Sequence, residues 1–460
     1  MTSPSDLSTA SSTPSAALRP WVVVVLLGVL GGIVGALGIS GVLVVVALAY
    51  YGFCLVRPSA GIAWGFAALP LASPQFQIAG IHIQPFEVLL WPASLVALAS
   101  AMGQRRFLRA VDLRALAPLL WAGGYMIVAG VLLWGDTAPL EIRMWGSALV
   151  FGIACYLNAA ERDFQRNFPR AVAFSAVALC ALAGSQHYFG FPAYQGFEEP
   201  RDVLRLLVLG NSEPVRLANL TFDHFNSAGA YLTLVVGVLM GMALCTRRST
   251  WLWTATLAAV LALYLTYSRG AALAATGAIL TTFYLVFRTP WRVALVTVAC
   301  AVTLVAIVSL LPLLISSEYS TTLTLGARAL IWRAYLQAWL SSPLFGLGPG
   351  NGYVTAQFLS PFGDEYAAHS NFLYLAADYG VIGLLAVVTG FGAVIVRAIR
   401  LDPVRRRDQP YLLGAVAVVT ALAIHSIVDH TLGLFSYRVA LFGVVAIGLR
   451  SPPREASIHE

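Results

Sequence analysis

The sequence predicts an all-α polytopic membrane protein. Of its 460 residues, 59% are hydrophobic and only 11% are charged, whereas soluble domains carry about 25% charged residues. Apolar runs of about 20 residues, long enough to cross a bilayer as a helix, recur along the whole chain. No polar stretch is long enough for a separate soluble domain, so we expect one integral membrane domain over residues 21–450.

The two ends of the chain differ in composition from the rest. Residues 1–20 are rich in Ser, Thr and Pro and predict a disordered cytoplasmic tail, and residues 451–460 predict a second, short one. The apolar run from Trp21 to Val56 is too long for the h-region of a signal peptide. We therefore expect membrane-anchoring spans there rather than a cleaved leader.

Fourteen apolar stretches are candidate spans. The third is short and interrupted by Pro70, which favours a re-entrant or interfacial segment, so we expect 12 to 14 transmembrane helices. The stretches are 21–38, 40–56, 59–75, 84–103, 114–134, 143–158, 170–187, 228–246, 250–267, 269–287, 291–314, 371–397, 410–430 and 433–449.

Charge orients these spans. The net charge is +7 and every basic residue is arginine. Six arginine clusters can all lie in the cytoplasm, as the positive-inside rule requires; both termini are then inside, and two long loops, 187–226 and 316–370, face outward. The clusters are 104–114, 161–170, 247–248, 288–292, 397–407 and 450–454.

Eight other arginines fall on the outer side, against this rule. Arginine in or near a membrane is costly unless it is paired, and the simplest partner would be an anionic ligand. These residues are Arg143, Arg201, Arg205, Arg216, Arg269, Arg328, Arg333 and Arg438.

Two of these arginines have a definite local setting. Arg269 lies in a tight turn between two apolar runs, where it would either extend to lipid headgroups or face a lipid-borne phosphate. Arg328 begins a helical pattern in which Trp332, Tyr335 and Trp339 share one stripe. The stripe suits a helix lying in the membrane interface, with Arg328 at the level of a lipid pyrophosphate; an ordinary packing helix is the alternative.

Two further features of the outer loops carry weaker signals. Arg216 precedes the span that begins near Ser227, a position that often contacts headgroups. The run Gly346–Gly352 could offer backbone N–H groups to phosphate, but it lacks the strand–loop–helix setting and the lysine of a P-loop. A tight turn is therefore the favoured interpretation of these glycines.

His369 is the candidate general base. It lies at the outer start of a predicted transmembrane helix, and a neutral imidazole there can accept a proton. Asn371 and Asp378 share a face of that helix. Asp378 would lie deeper in the membrane, where it could orient the site or link helices, and helix linking is slightly favoured.

A second polar group, HSIVDH, closes the next outward-running span. His425, Asp429 and His430 could suit a metal by spacing, but a polar wall of the same cavity is the favoured interpretation. The five cysteines lie singly in apolar runs and indicate packing rather than a disulfide or metal site. We therefore expect neither metal nor cofactor.

Taken together, outward arginines and a base without a metal indicate chemistry on a lipid-linked diphosphate. The arginines would bind the diphosphate and stabilise charge as it leaves. The histidine would deprotonate an acceptor hydroxyl that attacks the anomeric carbon, which inverts that carbon.

These motifs resemble the O-antigen ligase and O-antigen polymerase superfamily of bacterial membrane glycosyltransferases. The matching residues are Ser268-Arg269-Gly270, Gly326-Ala327-Arg328 with Trp332, PLFGLGPGNG, and His369-Ser370-Asn371 through Asp378-Tyr379-Gly380, with RLANLTFDHFN as a looser match. The similarity covers roughly residues 200–435.

The resemblance implies a GT-C-like membrane enzyme at the outer face of the bacterial inner membrane. Its donor would be an undecaprenyl-pyrophosphate-linked glycan, and its acceptor a hydroxyl of lipid A core or of a growing polysaccharide. His369 would be catalytic and Arg269, Arg328 and Arg216 would bind the diphosphate, supported by the residues Asn371, Asp378, Trp332 and His425. The family includes ligases, polysaccharide polymerases and protein O-glycosylating enzymes, and the shared motifs do not choose among them.

Two other classes of protein fit the span count. A transporter or flippase of lipid-linked oligosaccharides should show repeated halves and broken or charged helices near the midplane. No clear repeat is visible, and the polar residues gather at one face. A purely structural scaffold would not require His369 or Arg269.

Overall fold

The protein is a bundle of apolar helices in its computed structural model. The structure describes residues 44–72, 76–78, 81–103, 112–134, 138–190, 203–208, 211–222, 224–246, 249–287, 325–359 and 368–450. All contacts discussed below lie within residues 53–460.

Helices account for nearly all of this architecture, which confirms the all-α polytopic class. They are α1 Val44–Val56, α2 Pro58–Ala68, α3 Pro85–Gly103, α4 Leu113–Trp134, α5 Pro139–Asn158, α6 Arg162–Gly184, α7 Phe225–Cys245, α8 Thr250–Leu265, α9 Arg269–Val286, α10 Leu325–Ser341, α11 Asn351–Leu359, α12 Asn371–Arg400, α13 Pro403–Arg407, α14 Pro410–Val428 and α15 Phe435–Arg450.

Strands within the described ranges form two small antiparallel hairpins. The first pairs β1 Phe76–Ile78 with β2 Ile81–Ile83, and the second pairs β3 Val203–Val208 with β4 Asn211–Arg216. The second hairpin lies in the first predicted outer loop.

Eight helices of the described ranges are long and apolar enough to span a membrane, and α1 and α8 are shorter apolar helices. The predicted spans 21–38 and 291–314 lie outside the described residues. In the described part of the third predicted span, residues 59–72, the helix is α2, whose 11 residues are too few to cross about 30 Å of hydrocarbon.

Polar contacts divide between the two ends of the bundle. At one end, which we call the arginine-rich end, the Tyr156 hydroxyl donates to the Asp112 carbonyl at 3.3 Å and Arg407 Nε donates to the Val286 carbonyl at 3.1 Å. At the opposite end, the site end, Arg328 Nη1 donates to the Val428 carbonyl at 3.1 Å.

The site is supported by α7, α9 and α14, which pack through small residues. Ala274 and Ala278 of α9 form a core with Ala417 and Ala421 of α14. Gly241 of α7 lies so close to α14 that an added Cβ would overlap its backbone. Close approach through small side chains is a usual means of helix association in membranes, and it fixes where the ends of these helices lie.

One predicted span is interrupted. Helix α12 leaves helical geometry at Gly380, where φ is 66° and ψ is −172°. The chain at 343–350 runs beside the interruption, with the Val381 N–H donating to the Pro343 carbonyl at 2.9 Å and the Leu347 N–H donating to the Ala377 carbonyl at 2.8 Å. The glycine-rich run is therefore a tight turn docked on a helix break.

We expect Gly380→Ala to destabilise the protein by roughly 1–3 kcal/mol, because a side chain is strained at this φ. An added Cβ would also overlap the Leu344 carbonyl. Thermal unfolding of purified protein in nanodiscs measures the effect. Gly392→Ala is the matched control, since a Cβ at that α12 position has open space; equal melting temperatures for the two variants would contradict the prediction.

Helix α10 presents its aromatic stripe to the protein. Tyr335 is only 2% exposed, and the indole N–H of Trp339 donates to the Pro343 carbonyl at 3.0 Å. The stripe therefore faces the protein, as the packing alternative requires, and its depth relative to lipid headgroups stays a prediction. Leu336 and Leu340 are exposed instead.

Candidate functional site

The site centres on the outer end of α14. Asp429 follows directly as the C-cap residue, and its backbone N–H donates to the His425 carbonyl. The Val428 carbonyl accepts from Arg328 Nη1 at 3.1 Å, and Asp429 Oδ1 lies 3.7 Å from His369 Nδ1. The end of α14 thus contacts both Arg328, a predicted diphosphate-binding residue, and His369, the predicted base, which are far apart in sequence.

The Arg269 turn is built by local capping. The Ser268 side chain accepts from the Ala271 N–H at 3.4 Å, so it is the N-cap of α9, and its hydroxyl donates to Asn226 Oδ1 at 2.7 Å. Such side-chain caps satisfy the free N–H groups of a first helical turn. Arg269, the next residue, is exposed.

Gly270 lets this turn approach α14. A Cβ at Gly270 would lie 2.9 Å from Val428 Cγ2 and 3.4 Å from His425 Nε2. The absence of a side chain therefore places the start of α9 directly against the end of α14 that contacts Arg328.

Arg269 and Arg328 are within electrostatic reach of each other. Burial lowers the pKa of Arg328, the charge of Asp429 opposes that shift, and the charge of Arg269 lowers the pKa by a smaller amount. The buried Nε of Arg328 has no hydrogen-bond partner. The unused donor of Arg328 and the exposed side chain of Arg269 are both suited to an anion at this end of the bundle.

His369 is held in an uncommon backbone conformation. Its φ is 44°, in the left-handed region that non-glycine residues rarely adopt. The preceding residue is fixed because the Ala368 carbonyl accepts from the Trp332 indole N–H at 3.0 Å. Trp332, predicted as a supporting residue, thereby positions the backbone next to His369.

Asn371 joins the start of α12 to the end of α14. Its Nδ2 donates to the Ser426 hydroxyl at 2.7 Å and to the Thr431 hydroxyl at 2.8 Å, while its Oδ1 accepts from the Leu432 N–H at 2.9 Å. These bonds occupy the buried amide, so Asn371 positions the loop that carries Asp429.

Asp429 is strongly acidic in this setting. Burial alone would raise its pKa, but contact with His369, the charge of His425 and the N–H of His430 together lower the pKa to about 2. An ionised carboxylate beside an imidazole can orient the ring and stabilise its protonated form. The sequence predicted that Asp429 lines a polar wall of the same cavity. Its position 60 residues after His369 gave no indication that the two side chains are in contact.

His425 is buried at the same place. It is 1% exposed, and neither ring nitrogen has a hydrogen-bond partner. Buried polar atoms of this kind are uncommon, and they often mark a site that awaits a ligand or water. His425 therefore lines the same cluster as Arg328 and Asp429.

Asp378 has a different role from these residues. Its Oδ2 accepts from the Gly350 N–H at 2.8 Å and its Oδ1 accepts from the Gly352 N–H at 2.9 Å. It anchors the glycine-rich turn to α12, which supports the linking alternative over direct participation.

Arg216 lies at the end of β4, where only the main chain is described. The Ala218 N–H donates to the Leu265 carbonyl at 3.0 Å. The chain just after Arg216 therefore runs beside the end of α8. That end of α8 is followed closely in the sequence by Arg269.

Two of the outer arginines have partners within the chain, which corrects the expectation of an anionic ligand for them. Arg438 Nη1 donates to Glu141 Oε2 at 2.7 Å, and Arg143 Nε lies 3.4 Å from Glu87 Oε1. Sequence reasoning missed Glu141 because the span was predicted to begin at residue 143. The sequence signal for a partner at this end of the bundle was Glu141 itself, an acidic residue two positions before Arg143.

Comparison with known proteins matches part of the chain to a family. A family model described as O-antigen ligase covers residues 254–388. That segment contains Arg269, Arg328 and His369, and it ends before His425. A search of curated proteins found no match. Within the described residues, no three His, Cys, Asp or Glu side chains cluster as a metal site.

Proposed function

We propose that this chain, a glycan-transferring membrane enzyme of the O-antigen ligase superfamily, takes its glycan from undecaprenyl pyrophosphate. The acceptor is a hydroxyl of lipid A core or of a growing polysaccharide. The enzyme lies in the bacterial inner membrane with the site end facing outward, the orientation that the arginine clusters favour.

The observation that carries this proposal is the pair of arginines beside a histidine–carboxylate pair. Arg269 is exposed at the start of α9, which packs against the end of α14 that Arg328 contacts, and the Arg328 Nε donor is unused. A diphosphate would accept hydrogen bonds from both guanidinium groups. His369 lies at the same helix end, 3.7 Å from Asp429.

The reaction then proceeds by one inverting displacement. His369 accepts the proton of the acceptor hydroxyl while the oxygen bonds to the anomeric carbon of the donor sugar. The bond from that carbon to the diphosphate oxygen breaks, and its electron pair stays on the diphosphate. Arg269 and Arg328 stabilise the charge that develops there.

The flippase alternative is less well supported. A lipid path through the bundle would place charged or broken segments near its midplane. The ion pairs of Arg143 and Arg438 and the contact of His369 with Asp429 lie at helix ends on one side of the bundle. The break of α12 at Gly380 lies inside a span, but the glycine-rich turn is docked on it by backbone hydrogen bonds.

Complementation of a gene deletion tests the proposal. Wild type should restore surface glycan, whereas His369→Ala and Arg269→Ala should restore less than about 1% of it, because base and charge stabilisation each contribute roughly 100-fold or more. Surface glycan and carrier-linked intermediates are measured by gel electrophoresis and mass spectrometry. Long chains held on the carrier indicate a ligase, and single repeats indicate a polymerase.

Arg333→Ala is the matched control, since Arg333 is an exposed arginine of α10. It should complement like wild type. Normal glycan from both site variants would show that the site assignment is wrong.

A further inference from the structure

An exposed group of aromatic rings lies beside the Arg269 turn. We call His187, Tyr188, Tyr264 and Tyr267 the aromatic cluster. Tyr188 is 71% exposed and Tyr264 is 64% exposed, and Phe189 next to Tyr188 is 80% exposed. The last ring of the cluster, Tyr267, is two residues before Arg269.

The rings form one continuous surface. The His187 and Tyr267 rings stack with centroids 6.0 Å apart and planes 25° from parallel. Tyr188 meets His187 edge-on at 4.8 Å, and Tyr264 lies 5.7 Å from Tyr267. Two chain segments that are about 80 residues apart in sequence therefore share one aromatic face.

The backbone beneath this surface is unusual in both segments. Residues Ser185–Phe189 form a π-helical turn at the end of α6, a feature frequent at functional sites. Tyr267 has a φ of 55°, which is rare for a bulky residue.

The π-helical turn is also tied down. Gln186 Nε2 donates to the Leu220 carbonyl and Gln186 Oε1 accepts from the Leu220 N–H, both at 2.7 Å. These bonds hold the turn against the segment that leads into α7, so the rings are presented from a fixed base.

The chemistry of the rings is amphipathic. Each combines a flat apolar face with a hydroxyl or a ring nitrogen, and tyrosine of this kind supplies large rigid contact area at low entropic cost. A sugar ring has the complementary arrangement, with apolar C–H faces and a polar rim. In the middle of α8 the exposed residues Leu257, Val260 and Leu261 are aliphatic, which suits lipid chains, and the exposed Trp251 and Trp253 lie at its other end.

We propose that the aromatic cluster binds the sugar rings nearest the diphosphate of the glycan donor. The inference rests on the proposed function, since the diphosphate is expected at Arg269 and the sugar attached to it must lie close by. The cluster would thus contribute to recognition of the donor glycan, while the arginines recognise only the group that all such donors share.

Tyrosines also anchor membrane proteins at the bilayer interface, and the experiment includes that outcome. The full-length protein is purified in nanodiscs. The probe is oligosaccharide released by mild acid from the lipid carrier of the deletion strain, and its binding is followed by saturation-transfer NMR. Tyr188→Ala with Tyr264→Ala should weaken binding about tenfold, and Tyr264→Phe, which keeps the ring, should bind like wild type.

Tyr284→Ala is the matched control, because Tyr284 is 69% exposed on α9 near the arginine-rich end. It should leave oligosaccharide binding unchanged. Equal binding by wild type and the double variant, or equal losses in the double variant and Tyr284→Ala, would overturn the inference in favour of interfacial anchoring.

A transfer assay on the same proteins separates this inference from the proposed function. The double variant should show a KM for donor raised about tenfold with little change in kcat. Arg269→Ala should abolish transfer yet retain binding of the released oligosaccharide, which carries no diphosphate. If the wild-type protein binds the oligosaccharide through these rings but transfers no glycan, sugar binding by the aromatic cluster is supported and the proposed transferase function is contradicted.

Discussion

Asp429→Asn should lower the rate of glycan transfer by about 10²- to 10⁴-fold, the range attributed to a working general base. The carboxylate of Asp429 lies 3.7 Å from His369 Nδ1, close enough for its negative charge to stabilise the imidazolium that forms when the ring accepts a proton. An asparagine amide keeps the volume of the side chain but cannot stabilise the imidazolium that forms.

The measurement is initial transfer rate in nanodiscs with saturating donor and acceptor. Asp408→Asn is the matched control, since Asp408 is an exposed carboxylate near the arginine-rich end. It should transfer like wild type. Full activity of Asp429→Asn would show that His369 does not depend on this carboxylate.

The pH dependence of the wild-type enzyme should not arise from Asp429. Its pKa is lowered from 3.8 to about 2, so its stabilising effect is present above about pH 4 and is lost only as the pH falls through 2. A fall in transfer rate between pH 7 and 5 would therefore report a different titrating group.

Arg438→Met should destabilise the folded protein by roughly 3–5 kcal/mol, because it leaves Glu141 as an uncompensated charge inside the bundle. Arg438 is 0% exposed and donates to Glu141 at 2.7 Å. Its guanidinium also lies 4.2 Å from the centre of the Trp145 ring. Glu141→Leu should be comparably costly, since it leaves the arginine without its partner.

The double variant should recover most of that loss. An ion pair replaced on both sides by apolar residues of similar volume is often as stable as the original. The free energy of unfolding is measured in nanodiscs for the wild type, both single variants and the double variant. Arg333→Met is the control, because Arg333 is exposed, and it should change stability by less than about 0.5 kcal/mol. Additive losses in the double variant would contradict this account.

This pair matters to the site through the loop it holds. Arg438 Nε donates to the Leu432 carbonyl at 2.8 Å. The hydroxyl of Tyr379, the residue before the α12 break, donates to Glu141 Oε2 at 3.2 Å. The loop between Asp429 and Leu432 is therefore fixed both by Asn371 and by Arg438. The double variant should accordingly keep its stability better than its transfer rate.

The sequence alone determined the class of fold and the ends of most spans. Runs of apolar residues set the helices because a bilayer imposes both length and hydrophobicity on them. Arginine placement predicted two unlike ends, and the contacts of Tyr156 and Arg407 lie at the one it assigned to the cytoplasm. The motifs around Arg269, Arg328 and His369 indicated a family, and residues 254–388 match its model.

Only the tertiary structure decided which polar groups meet. A charge or a histidine in a sequence has no visible partner, since pairing depends on how helix ends come together. Arg328 and Arg438 look alike in sequence, yet one has an unused donor near Arg269 and the other is neutralised by Glu141. Packing geometry likewise turned the stripe of α10 inward and brought Asp429 to His369, because close contacts of small residues such as Gly241 and Gly270 fix the helix ends.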